Sequence, residues 1–376
     1  MKNLNSSRHI ATLDGLRGCA ALAVTMFHAL LHYDTPLIQR VLLPPASSIS
    51  SVSDLFDKFY LSIFNGDGPV ILFFVLSGFV LAASIDRSLN KGMSISLTAA
   101  DFLVRRVLRI YPAMIGCMCL YWIIYLFTKS FIVYPAVNLE VFLKSATLYD
   151  ITIHGPSWSL LVEIIAAPFI LVFVVLRRKL GFFVLILTAA YAVMAIDYPA
   201  LVWHLPNFRV YLISFVIGIA IASPQMRSIE FTVKVWHMSA ALLAFLFARS
   251  FVHGVSTSGL LAQSFLAGLV VFAAARLNAG KIFIFLTSKP IQFLGKISYS
   301  FYLINVPVLY LIWGIIDKYV ANPAANNHFW GIGAGLLAVV ISLPLSSLSE
   351  KFVEQPGVKL GKTIMSWLPV ITRNAS

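Results

Sequence analysis

The chain reads as an all-α polytopic integral membrane bundle of about ten transmembrane helices, with both termini cytoplasmic. Composition, the length of the apolar runs and the placement of the basic residues carry that reading. Of 376 residues, 59% are hydrophobic and 11% are charged, and the mean hydropathy is +0.87. A soluble fold of this size has no use for so much apolar surface. A spanning helix needs about 20 mostly apolar residues, and such runs recur with short polar interruptions.

The first run, 10–31, carries Asp14, Arg17 and His28. It has a basic start but no small-residue cleavage site after it, so it reads as a retained helix rather than a signal peptide. The second, 70–85, holds Ser77-Gly78, a close-packing position for neighbouring helices. The third, 111–128, follows Arg105, Arg106 and Arg109, and the fourth, 158–176, opens at Ser157-Trp158-Ser159-Leu160 and ends before Arg177. Runs 182–197, 210–222, 236–250 and 259–275 make the fifth to eighth helices, and 299–316 and 329–348 the last two. No soluble domain is appended, so residues 1–376 form one membrane domain. The longest outer loops are 33–69 and 129–157, and a short basic tail caps the last helix.

Basic residues alternate from loop to loop. With the N-terminus inside, cytosolic segments from Lys2 to Arg373 hold twenty, outer segments hold seven, and Arg17 lies on the first helix. This is the positive-inside pattern, and it assigns the net charge of +13 to membrane topology rather than to nucleic acid. Cys19, Cys117 and Cys119 fall in apolar stretches with no metal-ligand spacing and read as packing residues. His32, His154, His204, His237, His253 and His328 lie near helix ends or in loops, also without metal spacing, and no metal is expected.

Ionisable groups inside a membrane helix are costly enough to be read as functional. Arg17 and His28 are separated by about 16 Å along the first helix, Arg17 toward the cytosol and His28 toward the outer face. If the fourth helix begins at the outer surface, Glu163 lies about 8 Å below it, at the depth of His28. A His28–Glu163 pair follows, either with Glu163 fixing the imidazole tautomer and raising its basicity or as a structural link between helices. Arg105, Arg106 and Arg109 have the spacing of a phosphate clamp, or of plain positive-inside anchoring. Trp158 is either an interface anchor or a stacking surface for a sugar ring.

Five strings occur together: Leu13-Asp14-Gly15-Leu16-Arg17-Gly18 with His28, Leu72-Phe73-Phe74-Val75-Leu76-Ser77-Gly78-Phe79, Arg105-Arg106-Val107-Leu108-Arg109-Ile110-Tyr111-Pro112, Ser157-Trp158-Ser159-Leu160 with Glu163, and Ile297-Ser298-Tyr299-Ser300-Phe301-Tyr302-Leu303. In that order the chain resembles the acyltransferase-3 family, bacterial membrane enzymes that O-acetylate surface sugars. The resemblance implies an acyl donor, usually acetyl-coenzyme A, held by Arg17, Arg105, Arg106 and Arg109. It implies His28 as the catalytic centre, acting as general base or transient acyl carrier, and the depth argument adds Glu163 as its catalytic partner. Trp158, Ser159 and Asn305 are expected at the acceptor, a cell-surface glycan or lipid-linked saccharide, and the protein is expected among the lipids of the bacterial inner membrane. Two positions depart from the family pattern: Ile71 stands where relatives often have Asp, with Asp67 upstream, and Asn305 where many have His. A transporter or flippase of a lipid-linked sugar would share the helix count. It would also be expected to show inverted repeats and broken helices in its two halves, and neither is visible in the sequence.

Overall fold

The computed structural model describes residues 6–205, 207–251 and 256–367. Lys2, His253 and Arg373, named above, lie outside them. Among the described residues every regular element is helical. The α-helices are α1 (Ser6–Leu31), α2 (Val52–Ile63), α3 (Asp67–Asn90), α4 (Ile95–Thr128), α5 (Leu139–Ala146), α6 (Trp158–Leu180), α7 (Phe183–Asp197), α8 (Phe208–Ile221), α9 (Pro224–Ser228), α10 (Val235–Phe247), α11 (Thr257–Ala274), α12 (Lys281–Leu286), α13 (Lys289–Tyr319), α14 (Asn327–Ser349) and α15 (Gln355–Trp367).

Each of the ten apolar runs falls on one of these helices. Among the described residues six helical stretches are long and apolar enough to cross a membrane, α7, α8 and the stretch Val235–Ser250 are apolar but shorter, and the 26-residue α1, with Asp14, Arg17 and His28 along it, falls in neither set. The protein is a multi-pass membrane protein. Helix α1 sits at its centre: Thr12, Ala21, Thr25, Ala29 and Leu30 are fully buried on different sides of it. Glycines allow that enclosure. A Cβ on Gly18 would lie 2.8 Å from the Gly295 nitrogen, and one on Gly78 would collide with the Phe215 carbonyl, so α1 meets α13 and α3 meets α8 backbone to backbone. Ala29 shares a buried cluster with Ile304 and Val308, so α1 and α13 run in the same direction from their crossing at Gly18 and Gly295.

Three expectations about the chain's course are corrected. The third helix does not begin at 111 but at Ile95, so Arg105, Arg106 and Arg109, expected on one helical face, lie well inside the continuous 34-residue α4. The tail after 348 is not a cap alone, because a π-helical turn at Glu350–Glu354 carries it into α15, which packs on α4. The stretch before α6 is not a surface loop. The His154 imidazole bonds through Nε2 to the Leu303 carbonyl (3.0 Å), and the Tyr302 hydroxyl donates to the Pro156 carbonyl (2.9 Å). Leu303 lies about 21 Å along α13 from its first residue, so this segment penetrates to the middle of the bundle. Irregular backbone survives at such depth only when protein groups satisfy it, as α13 does here.

Candidate functional site

Three ionisable residues share one face of α1. At 100° per residue, Arg17 is rotated about 60° from Asp14, and His28 only about 20° from Arg17. The Arg17 end of that face opens into a charged cavity. Its volume is about 70 Å³, and its wall runs from Arg17 and Arg109 past Ser298, Tyr299, Arg106, Glu163 and Ser77 to Tyr302 and Ser159. Two further cavities adjoin it. One, of about 320 Å³, shares Arg17, Arg109, Ser298 and Tyr299 and adds Asp14, Lys296 and Glu354. The other, of about 220 Å³, shares Arg106 and Arg109 and adds Arg105, Asp101 and Lys362.

Glu163 organises the central cavity. Its Oε2 lies 2.6 Å from Arg106 Nη2, and its Oε1 accepts a 2.6 Å hydrogen bond from Ser77 Oγ. Both charged side chains are largely enclosed, Arg106 at 8% and Glu163 at 15% exposure. The ion pair is close but off hydrogen-bonding angle: Arg106 Nε and Nη2 are buried without a hydrogen-bond partner. Arg17 contacts Asp14 at 3.5 Å. Arg109 stacks its guanidinium over Tyr299, 5.9 Å from the ring centroid, and makes no ion pair among the described residues. Arg105 points away from the central cavity, half exposed and paired with Asp101 at 2.5 Å.

The expected His28–Glu163 pair does not form. Glu163 is held by Arg106, which lies 22 residues, or about 33 Å, before the end of α4. It therefore belongs with the arginines, because α6 starts inside the bundle and not at its surface. Counting equally from the Gly18–Gly295 crossing puts His28 level with Asn305. Tyr299, a neighbour of Glu163, then lies about 9 Å nearer the Arg17 end. His28 itself makes no hydrogen bond or ion pair among the described residues. Its ring meets Phe27 edge-on at 5.3 Å, remains partly accessible, and lies within electrostatic range of His154 and Asp67. Asp67 in turn is paired with Arg249 at 2.8 Å.

The three residues expected at the acceptor separate. Ser159 lines the cavity, its hydroxyl 3.0 Å from Pro156 O and 2.9 Å from the Tyr302 hydroxyl, so that its one proton is donated either to the carbonyl or to Tyr302. Trp158 is packed, stacked on Tyr211 at 5.0 Å and edge-on to Phe74, so one ring face is already covered. Asn305 is fully buried; its amide nitrogen donates to the Phe301 and Tyr302 carbonyls of its own helix, and its Oδ1 is left without a hydrogen-bond partner. Sequence reasoning missed Ser77 as a polar contact, and also Ser298, Tyr299 and Tyr302. The signal for the last three was present: positions 298, 299 and 302 fall on one helical face in the middle of an apolar run.

Among the described residues no group of His, Cys, Asp and Glu could hold a metal, and Cys19, Cys117 and Cys119 are free thiols. His32 stacks on Trp313 at 4.0 Å, and His328 bonds to Asp57 at 2.5 Å.

Residues 10–347 match the model of a family described as an acyltransferase domain, acyltransferase-3. No curated protein and no solved structure matches the chain.

Proposed function

This chain belongs to the acyltransferase-3 family, is an acyltransferase of groups other than amino-acyl groups, and on that premise we propose that it is an O-acetyltransferase of the bacterial inner membrane. In this reading it moves acetyl from cytosolic acetyl-coenzyme A to a hydroxyl of a cell-surface glycan or lipid-linked saccharide. Ten spans with both termini cytoplasmic orient the Arg17 end inward, in keeping with the inner excess of basic residues.

The single observation that carries this reading is the face of α1. Arg17 borders the charged cavities, while His28, about 16 Å further along the same face, is left without a bonding partner. Coenzyme A has that layout, with phosphates at one end and a thioester at the end of a flexible arm. Guanidinium groups suit the phosphates, and Arg106 has unpartnered N–H donors for an anion. Glu163 and Ser77 act as positioning residues that hold Arg106 in the cavity wall.

At the far end, the neutral imidazole of His28 takes the proton of the acceptor hydroxyl as that oxygen attacks the thioester carbonyl. A C–O bond forms, the C–S bond breaks, and the proton passes to the departing thiolate. Alternatively, His28 carries the acetyl group transiently. A transporter reading gains nothing from a histidine aligned with an arginine cavity.

The test is the acetyl content of surface glycans, measured by mass spectrometry in cells carrying either the native protein or His28→Ala at equal membrane abundance. Loss of acetyl in the variant supports the proposal, and equal content rejects it.

A further inference from the structure

We propose that α15 completes the donor site and that Lys362 is a further cation, beside the arginines, for the nucleotide phosphates of the acyl donor. This inference rests on the acyl-coenzyme A reading above. Helix α15 lies beyond the residues matched to the family. Its sequence Gly357-Val358-Lys359-Leu360-Gly361 explains how it docks. The two glycines stack one turn apart on the face turned to α4. A Cβ on Gly357 would lie 2.5 Å from the Leu108 carbonyl oxygen and 2.9 Å from Pro112, so only glycine permits this approach. At Gly361 the nearest atom, Arg105 Cα, would be 3.5 Å away, an ordinary contact.

The adjacent column of α15, Val358 and Lys362, is set by that docking and forms part of the wall of the 220 Å³ cavity with Arg105, Arg106 and Arg109. Of the four cations on that wall, Arg105 is engaged by Asp101 and Arg106 by Glu163, which leaves Arg109 and Lys362 without an ion pair among the described residues. Lys362 has no ion pair or hydrogen bond among the described residues. Two buried groups of the same wall, Arg106 Nε and Thr98 Oγ1, also lack hydrogen-bond partners. Uncompensated positive charge and idle donors in one cavity suit a multiply charged phosphate ligand. The long flexible stem of Lys362 lets its ammonium follow the phosphates as a mobile point charge.

The experiment compares two donors on the full-length protein in proteoliposomes, with envelope glycan from cells lacking the protein as acceptor. Acetyl-coenzyme A carries the phosphates and acetyl-pantetheine carries none. The native protein is expected to prefer acetyl-coenzyme A in kcat/KM, and Lys362→Ala to shrink that preference roughly tenfold through KM, the scale of one charge-assisted hydrogen bond. Lys362→Arg should restore it. Gly357→Leu should shrink it as well by levering α15 off α4, whereas Gly361→Ala keeps it. A native protein that uses both donors equally overturns the acyl-coenzyme A reading itself. A native preference that Lys362→Ala leaves intact overturns this inference alone.

Discussion

The two ends of one face of α1 are built on opposite principles. Around Arg17 and Arg106 the charges are paired and enclosed: Asp14 with Arg17, Glu163 with Arg106, and Ser77 bound to Glu163. Around His28 lie the edge-on Phe27 ring, Asp67 already paired with Arg249, and His154, whose Nδ1 is itself buried without a partner; His28 makes no hydrogen bond or ion pair among the described residues. Leaving a polar group unsatisfied in an enclosed setting costs about 1–3 kcal/mol, and local rules of this kind are broken mainly at functional sites. In the proposed reading, the contrast teaches that the end assigned to donor binding is ordered by ion pairs, while the end assigned to chemistry leaves its imidazole without a bonding partner.

The sharpest way to break that contrast is to remove one member from each end. His28→Ala is expected to reduce acetyl transfer by about 10²- to 10⁴-fold, the range of a lost general base, while thermal unfolding in detergent stays near native. Arg106→Ala should lose both activity and stability, because it leaves Glu163 as an enclosed unpaired charge, at a cost of about 3–5 kcal/mol. Replacing both partners, Arg106→Met with Glu163→Leu, should regain most of that stability and none of the donor affinity. Recovery of donor KM in the double variant would show that the pair is only a link between helices.

Much of the fold was legible because bilayer thickness dictates the length of an apolar run, and all ten runs lie on helices. The arginines were legible as charges at the edge of such a run. The partner of Glu163 was not. Gly155-Pro156-Ser157 has the composition of a surface turn, yet His154 and Ser157 are fully buried: the Leu303 carbonyl of α13 bonds the His154 ring, Tyr302 donates to the Pro156 carbonyl, and Ser157 donates to the His154 carbonyl. An error of depth in that one segment moved Glu163 from the arginines to His28. Tyr299 and Tyr302 were hidden for a different reason: their rings belong in an apolar helix, and only the shared face of their hydroxyls marks the cavity. Helix α15 was hidden because its polar composition reads as a tail, while its close docking depends on one glycine, Gly357.

Smaller effects sharpen the comparison within the arginine group. Arg109 stacks on Tyr299 without an ion pair, so Arg109→Ala should raise the donor KM roughly tenfold and change stability by no more than about 0.5 kcal/mol. A large stability loss there would show that its role is packing. Arg105 is half exposed and tied to Asp101, and exposed ion pairs are worth only about 0–1 kcal/mol. Arg105→Ala should therefore raise the donor KM by less than about fivefold, by the same conversion of free energy to affinity. An effect matching that of Arg109 would move Arg105 into the phosphate contacts.

The most direct test of the central claim uses sealed vesicles in which labelled acetyl-coenzyme A is supplied only on the face carrying Arg17 and acceptor glycan only on the opposite face. The account predicts label in the glycan with the native protein and none with His28→Ala. Label appearing equally with both, or only when donor and glycan share a face, would contradict it.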